Sequence, residues 1–265
     1  MIPVPIHACN PGPMTGAGNW TWLVDGRVPT LIDAGTGDPR HVDAVAAALG
    51  GRPLAQVLVT HGHTDHASGA SALAARMPHA RFVKMPWPER DACYPVDWRP
   101  LADNDVLAAG DTTLVALHTP GHAPDHVCVW HEATRSLFSG DLVVKGSTVW
   151  IPGNQHGDVA AYLASIERVL ALEPARLFPA HGQVIDEPAR LLRGYIDHRR
   201  EREEQVLDAL RRGDSTSDAM TARIYRGLKQ QLIPLARESV TAHLRKLERE
   251  GRARREGEAW HIIEP

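Results

Sequence analysis

A short stretch of the chain, residues 59–70 (VTHGHTDHASGA), concentrates side chains that can bind metal ions. His61, His63, Asp65 and His66 lie within six positions, directly after the β-branched run that ends AQVLVT (55–60). Neutral imidazoles and carboxylates are good ligands for zinc and similar cations. In a loop that leaves a strand, residues two apart can converge on one ion while their neighbours turn towards a second. The stretch therefore predicts metal ligands.

One loop cannot complete two metal sites, so further ligands must come from other parts of the chain. His122 in HTPGHAPDH, Asp141 in LFSGDLV and His181 in FPAHGQV stand at the ends of other predicted strands. Each has a glycine beside it, which permits tight backbone geometry where a side chain points into a site. A single histidine at a strand end is usually a surface or capping residue, but seven candidate ligands placed in this way favour a metal site.

The elements that must position these side chains alternate short apolar runs with turn signals over the first two hundred residues. WTWLVDG (20–26) and PTLIDAG (29–35) predict a β-hairpin. Further strands are predicted at 55–60, 112–119, 126–132, 136–141 and 175–182, and helices at 39–51, 67–77 and 158–172. Strands and helices mixed in this way indicate a layered α/β architecture.

The end of the chain has a different pattern. Amphipathic helices are predicted at 201–212, 214–225 and 234–251, the last with Leu235, Val240, Leu244 and Leu247 on one stripe, and 252–263 predicts a hairpin. Three helices and a two-stranded wing predict a winged helix, whose third helix occupies the position that enters the major groove in DNA-binding relatives. We predict a first domain at 1–198, which contains all seven candidate ligands, and a winged-helix domain at 199–265. Their net charges of −6 and +3 sum to the −3 of the chain.

The composition limits the class of protein. The chain has 265 residues, of which 43% are hydrophobic and 23% charged, as in ordinary globular proteins. No apolar stretch approaches the length of a bilayer span, and the N-terminus lacks a charged segment followed by an apolar one, so neither a membrane association nor a secretory signal is predicted. The cysteines, Cys9, Cys93 and Cys128, are odd in number and widely spaced, which favours a reducing, cytoplasmic location.

The HxHxDH pattern, followed by a later His, Asp and His, resembles the metallo-β-lactamase superfamily. The resemblance implies a four-layer αβ/βα sandwich with a dinuclear metal site at one edge. It implies a first metal bound by His61, His63 and His122, a second bound by Asp65, His66 and His181, and Asp141 as a bridge. Two Zn²⁺ ions are expected, although iron or manganese fits the same ligands.

The chemistry follows from this implied site. Two metals about 3.5–4 Å apart hold a bridging water and lower its pKa towards about 7, so that hydroxide forms at neutral pH. The hydroxide attacks a carbonyl or phosphoryl centre while one metal polarises the substrate oxygen. Asp65, a ligand that can also orient the nucleophile, is the predicted catalytic residue. The expected activity is metal-assisted hydrolysis.

The substrate is less constrained. HTPGHAPDH, SLFSGD, YIDHRRERE and the closing winged helix resemble the β-lactamase-like protein 2 group over nearly the whole chain. That group includes endoribonucleases selective for single-stranded RNA, and related fungal proteins act as thioesterases. The first hypothesis is therefore cleavage of single-stranded RNA, although the acidic first domain counts against it. The second is hydrolysis of a thioester or lactone, a small acyl compound, which loops bearing Trp87, Trp98 and Trp150 favour. The third hypothesis is a regulator, in which the metal domain senses a ligand and the winged helix binds DNA.

The remaining expectations concern the winged helix and other histidines. Its mixed charge favours a lid or dimer-supporting role over DNA binding, and an enzyme of this size is compatible with a homodimer. His126 has two interpretations, orientation of a metal ligand or packing at the start of a strand. His41 and His79 are predicted to be surface residues.

Overall fold

Two β-sheets packed face to face, with helices on both outer faces, form most of the structure. It is a computed structural model that describes residues 2–263. A small helical unit with a two-stranded sheet follows the sandwich. This arrangement confirms the predicted αβ/βα sandwich and the C-terminal winged helix.

The first sheet carries the loop that the sequence singles out. Its strands follow chain order: β1 Val4–His7, β2 Trp20–Val24, β3 Thr30–Ile32, β4 Gln56–Val59, β5 Arg81–Lys84 and β6 Trp98–Pro100. The first three are antiparallel neighbours, which confirms the predicted hairpin, and β3 to β6 run parallel. Every residue of β4 is buried, as expected for a parallel strand covered on both faces.

The helices α1 Pro39–Leu49 and α3 Ala70–Arg76 cover the outer face of this sheet, and α2 Thr64–Ala67 and α4 Pro88–Asp91 are short turns of helix beside it. The α1 helix begins after Asp38, whose side chain accepts a hydrogen bond from the backbone N–H of Arg40, and ends at Gly50, which has a left-handed φ of 59°. Local sequence signals therefore set both ends of α1.

One of the surface predictions was wrong. His41, on the inner face of α1, is fully buried, and its Nε2 lies 2.8 Å from the hydroxyl of Thr21 in β2. The hydroxyl is the hydrogen-bond partner of Nε2, and burial lowers the pKa of His41 to about 4, so the ring is neutral. His79 is exposed, as predicted.

The second sheet has the order β11-β10-β9-β8-β7, with strands β7 Val106–Ala109, β8 Thr112–His118, β9 Val127–His131, β10 Ser136–Gly140 and β11 Arg176–Pro179. Only its pair β10 and β11 is parallel. The helices α5 Val159–Ala171 and α6 Pro188–Arg211 cover its outer face, and the buried side chains between the two sheets include Trp22, Leu58, Phe138 and Phe178. Successive side chains of a strand point to opposite faces of the sheet. In β3, Leu31 therefore packs on the outer face and Ile32 packs between the two sheets.

The winged helix consists of α7 Ser217–Ile224, α8 Ile233–Arg249, β12 Ala253–Glu256 and β13 Ala259–Ile262, packed on the end of α6. Val240, Leu244 and Leu247 of the predicted stripe are buried in its core. The helix predicted at 201–212 is the second half of the continuous α6, and the proposed boundary between residues 198 and 199 lies inside that helix. The division into two domains at this point stays a prediction.

Over the described residues, no helix is both long and apolar enough to cross a membrane.

Candidate metal centre

All seven predicted ligands lie together at one edge of the sandwich. His61 and His63 lie between β4 and α2, and Asp65 and His66 lie in α2, while His122, Asp141 and His181 lie in the loops that follow β8, β10 and β11. Strands of both sheets end at this edge, so residues far apart in the chain meet there. We call these residues the seven-residue cluster.

Three imidazoles form the first group of the cluster. His63 Nδ1 lies 3.0 Å from His61 Nε2 and 2.9 Å from His122 Nε2. These ring nitrogens converge on one point within 4.8 Å of one another. Three convergent imidazole nitrogens are a common protein contribution to a catalytic zinc site.

Two carboxylates and two imidazoles form the second group. Asp65 Oδ2 lies 3.4 Å from His66 Nε2 and 3.3 Å from His181 Nε2. Asp141 Oδ1 lies 3.4 Å and 3.3 Å from the same two nitrogens. The other oxygen, Asp141 Oδ2, lies 3.5 Å from His122 Nε2 in the first group. Asp141 therefore has one oxygen directed to each group.

Two buried atoms of the second group fit a metal ion. His66 Nε2 and Asp141 Oδ1 are inaccessible to solvent, and neither has a hydrogen-bond partner among the residues that the structure describes. Leaving buried polar atoms unpaired costs about 1–3 kcal/mol each, more for charged groups. A cation bound between them would satisfy both, so the donor set and its burial fit a divalent metal.

Four of the five ring nitrogens that point away from the cluster centre have partners of their own, whereas His181 Nδ1 has none among the residues that the structure describes. Asp33 Oδ2 lies 2.8 Å from His66 Nδ1, the Thr60 hydroxyl 3.1 Å from His61 Nδ1, and the Trp150 carbonyl oxygen 2.8 Å from His122 Nδ1. His156 Nε2 lies 3.0 Å from His63 Nε2. Metal-binding histidines almost always donate this outer N–H to such a partner, which sets the ring orientation.

Other side chains hold the two aspartates. The side-chain amide of Asn19 donates to the Asp65 carbonyl oxygen at 2.6 Å, and the Asp141 backbone N–H donates to His126 Nε2 at 3.1 Å. Burial lowers the pKa of His126 to about 3, so its ring is neutral and can accept this bond. Of the two interpretations of His126, the contact with Asp141 favours orientation of a ligand.

Sequence reasoning missed Asp33, Asn19 and His156. Asp33 carries a usable signal, since an acidic residue directly follows β3, the neighbour of β4 in the sheet. Asn19 and His156 carry none, because their loops reach the cluster only through tertiary packing.

The two groups have opposite electrostatics. Burial lowers the pKa of His61 and His63 well below the usual value, and the neighbouring imidazoles lower it further. Burial also lowers the pKa of His66 and His181, but the nearby carboxylates raise it by more. The pKa of His66 is therefore well above its usual value, and that of His181 is about 10. The second group thus attracts positive charge.

The chain matches known families over both of its parts. Residues 14–181 match the Metallo-beta-lactamase superfamily, and residues 216–260 match the Beta-lactamase associated winged helix domain. A Beta-lactamase-like protein 2 homolog from Drosophila melanogaster is 34% identical and covers 94% of this chain and 88% of its own length. An atrochrysone carboxyl ACP thioesterase from Aspergillus chevalieri is 36% identical over 78% of this chain and 65% of its own length.

Solved structures share the fold. A Beta-lactamase domain protein from Burkholderia ambifaria has a TM-score of 0.85 at 21% identity, over 98% of this chain and 91% of that one. A protein solved in a di-iron-bound form has a TM-score of 0.58 at 28% identity, over 72% of this chain and 96% of that one. The chain therefore belongs to the metallo-beta-lactamase superfamily of metal-dependent hydrolases and carries the winged helix domain associated with it, as the sequence motifs predict.

Proposed function

We propose that the protein is a dinuclear metal hydrolase that cleaves an acyl substrate, a thioester or a lactone. In this proposal His61, His63 and His122 would hold the first metal, Asp65, His66 and His181 would hold the second, and Asp141 would offer one carboxylate oxygen to each. Metal ions bound there would supply Lewis acidity and a hydroxide nucleophile at neutral pH. Zinc is the proposed metal, and iron or manganese suits the same donors.

Asp65 is the proposed catalytic residue. Burial raises the pKa of its carboxyl, but the charge of His66 and the nearby imidazoles of His181 and His66 outweigh this and hold the pKa well below its usual range. Asp65 is therefore ionised at neutral pH, and its carboxylate can accept a hydrogen bond from the attacking water. Asn19 holds the Asp65 backbone, which limits the movement of that carboxylate.

The observation that carries the acyl assignment is the indole ring of Trp87 beside His63. The ring of Trp87 is half-buried, with its centroid 6.3 Å from that of His63 and 4.7 Å from that of His156. Trp150 is also half-buried, and its carbonyl oxygen contacts His122. Indole surfaces of this kind suit an apolar acyl chain. The similarity to a protein named as an acyl carrier thioesterase supports the same class.

Two basic side chains near the cluster are already used within the protein. Lys84 Nζ is fully buried and lies 2.7 Å from both Asp125 and Asp91. Arg199 is buried and donates to the Val149 carbonyl oxygen. Neither can neutralise an RNA phosphate, and phosphate contacts supply most of the affinity for nucleic acids. These two side chains therefore give no support to RNA cleavage, and Arg90, whose guanidinium lies 5.9 Å from the Trp87 ring centroid, is a basic group beside the site.

A substrate panel tests this function. Purified protein of known metal content is assayed with acyl thioesters, lactones and a single-stranded RNA. We expect thioester or lactone turnover, abolished in Asp65→Ala and His66→Ala and retained in Asp43→Ala, a matched control exposed on α1. RNA cleavage that is lost in the same two variants would overturn the acyl assignment in favour of the nuclease. Two bound metals without turnover would favour the sensor.

Metal binding at the second group is expected to release protons. Below about pH 10 the apoprotein holds His181 protonated, and His66 likewise has a raised pKa, whereas the His61 and His63 rings are neutral. Metal ligands must be deprotonated, so affinity at the second group should rise as pH rises through neutrality. Calorimetric titration with Zn²⁺ in two buffers of different ionisation enthalpy measures the release. Equal heats in both buffers for both ions would contradict it.

A further inference from the structure

The loop at residues 148–158 links the winged helix to the metal cluster. It leaves the second sheet after Asp141, passes beneath α8, and enters α5 at its N-cap residue, Asp158. We call it the anchor loop. The anchor loop contacts two histidines of the first group, and the winged helix in turn contacts the anchor loop.

The anchor loop supplies the outer partners of two of the three histidines in the first group. The Trp150 carbonyl oxygen lies 2.8 Å from His122 Nδ1, and His156 Nε2 lies 3.0 Å from His63 Nε2. Because His63 Nδ1 faces the nitrogens of His61 and His122, a metal ion there would leave the proton of His63 on Nε2. That N–H then donates to His156 Nε2, which sets the plane of the His63 ring.

The winged helix holds the anchor loop through close backbone contact. Gly153 is buried against α8, where a Cβ atom would lie 2.5 Å from the Glu238 carbonyl oxygen and would also collide with the backbone nitrogen of Ala242. The Asn154 backbone N–H and side-chain amide donate to the Glu238 carboxylate at 2.6 and 2.7 Å. Only glycine permits this approach, and two hydrogen bonds to one carboxylate fix the position of the loop along the helix.

A second contact from the same helix holds the C-terminal end of the loop. The Arg249 guanidinium donates to the Asp158 carboxylate at 2.7 Å, while the Asp158 backbone N–H donates to the carbonyl oxygen of Gly121 at 2.9 Å. Gly121 precedes the ligand His122 in the chain. The middle and the C-terminal end of the anchor loop, on either side of His156, are therefore tied to α8.

We propose that His156 is a positioning residue for the first metal site, and that α8 of the winged helix maintains it there through the anchor loop. The winged helix thus acts as a structural support of the hydrolytic centre, a role that needs neither DNA nor a second subunit. This inference rests on the metal assignment of the proposed function but not on the identity of the substrate.

Metal binding measured without substrate tests the role of His156. Co²⁺ is titrated into the full-length apoprotein against a chelator, and the two stepwise affinities are compared among wild type, His156→Ala and His156→Gln. We expect His156→Ala to weaken one of the two affinities by about 10–100-fold, the usual effect of removing such a partner. Glutamine places an amide oxygen near the position of Nε2 and should restore most of that loss.

A spectroscopic signature identifies the ring that is affected. In the Co²⁺ protein, the N–H proton of each bound histidine gives a paramagnetically shifted NMR signal that disappears as it exchanges with solvent. One such signal should exchange faster in His156→Ala and return to the wild-type rate in His156→Gln. Unchanged affinities and exchange in His156→Ala, or a glutamine variant as impaired as the alanine variant, would overturn the positioning role.

Glu238→Ala tests the role of α8, with Glu248→Ala, exposed on the same helix, as the matched control. Glu238→Ala should weaken the same affinity as His156→Ala, by a smaller factor, while the control matches wild type. If Glu238→Ala also matches wild type, the winged helix does not support the site. Because no substrate is used, a protein that binds metal normally but hydrolyses nothing on the panel would contradict the proposed function and leave this inference intact.

Discussion

Replacement of Asp141 by alanine is expected to lower kcat/KM for the hydrolysed substrate by at least about 10³-fold. Its two carboxylate oxygens face different ligand groups, so the change removes one donor from each. Metal ions provide several kcal/mol of transition-state stabilisation, and each 1.36 kcal/mol corresponds to a factor of ten in rate. Steady-state kinetics together with metal analysis of the purified variant measure the effect.

The control for this variant is Asp197→Ala, an exposed aspartate on α6. It should retain wild-type kinetics and metal content. An Asp141→Ala protein that keeps two metals and loses less than about tenfold in kcat/KM would show that Asp141 does not bridge the two groups.

Replacement of Lys84 by methionine is expected to reduce the free energy of unfolding by about 3–5 kcal/mol, the usual cost of removing one partner of a buried ion pair. Lys84 ends β5 and is fully buried, with its ammonium 2.7 Å from the carboxylates of Asp125 and Asp91. The ammonium joins three segments: β5, the loop that contains His122, and α4 beside Trp87. Without it, the two carboxylates would lose their counter-charge. Urea unfolding followed by circular dichroism measures the change.

Two further variants test this assignment. One replaces an exposed lysine as a control, and the other adds a second substitution to Lys84→Met that removes the unpaired charge. Lys145→Met, at an exposed lysine, should leave the unfolding free energy within about 0.5 kcal/mol of wild type. Adding Asp125→Asn to Lys84→Met should recover part of the loss, because burial already raises the pKa of Asp125 and the amide removes the unpaired charge. A loss below about 1 kcal/mol in Lys84→Met would contradict the assignment of a buried ion pair.

The candidate ligands could be predicted because each follows a strand and the strands can be recognised locally. The β-branched run before His61 predicts β4, and the apolar runs before Asp141 and His181 predict β10 and β11. Polar residues directly after such runs lie at a sheet edge whatever the rest of the fold does. The stripe on α8 likewise predicts a helix and its buried face, because helical periodicity is a local property.

The sequence by itself determined the family and the seven side chains that meet at one edge of the sandwich, together with most of the elements, although β1, β5, β6 and β7 were not predicted. Only the tertiary structure decided which residues orient those seven side chains. Asn19 and His156 reach the cluster from loops far away in the chain, and no local pattern records a contact of that kind. Asp33 could be placed at the same edge because it follows β3, but its contact with His66 could not be predicted from the sequence. The same holds for α6, whose continuity across the predicted domain boundary depends on packing against both the second sheet and the winged helix. Local residue patterns set the type and ends of an element, whereas the packing of layers sets the distances between loops.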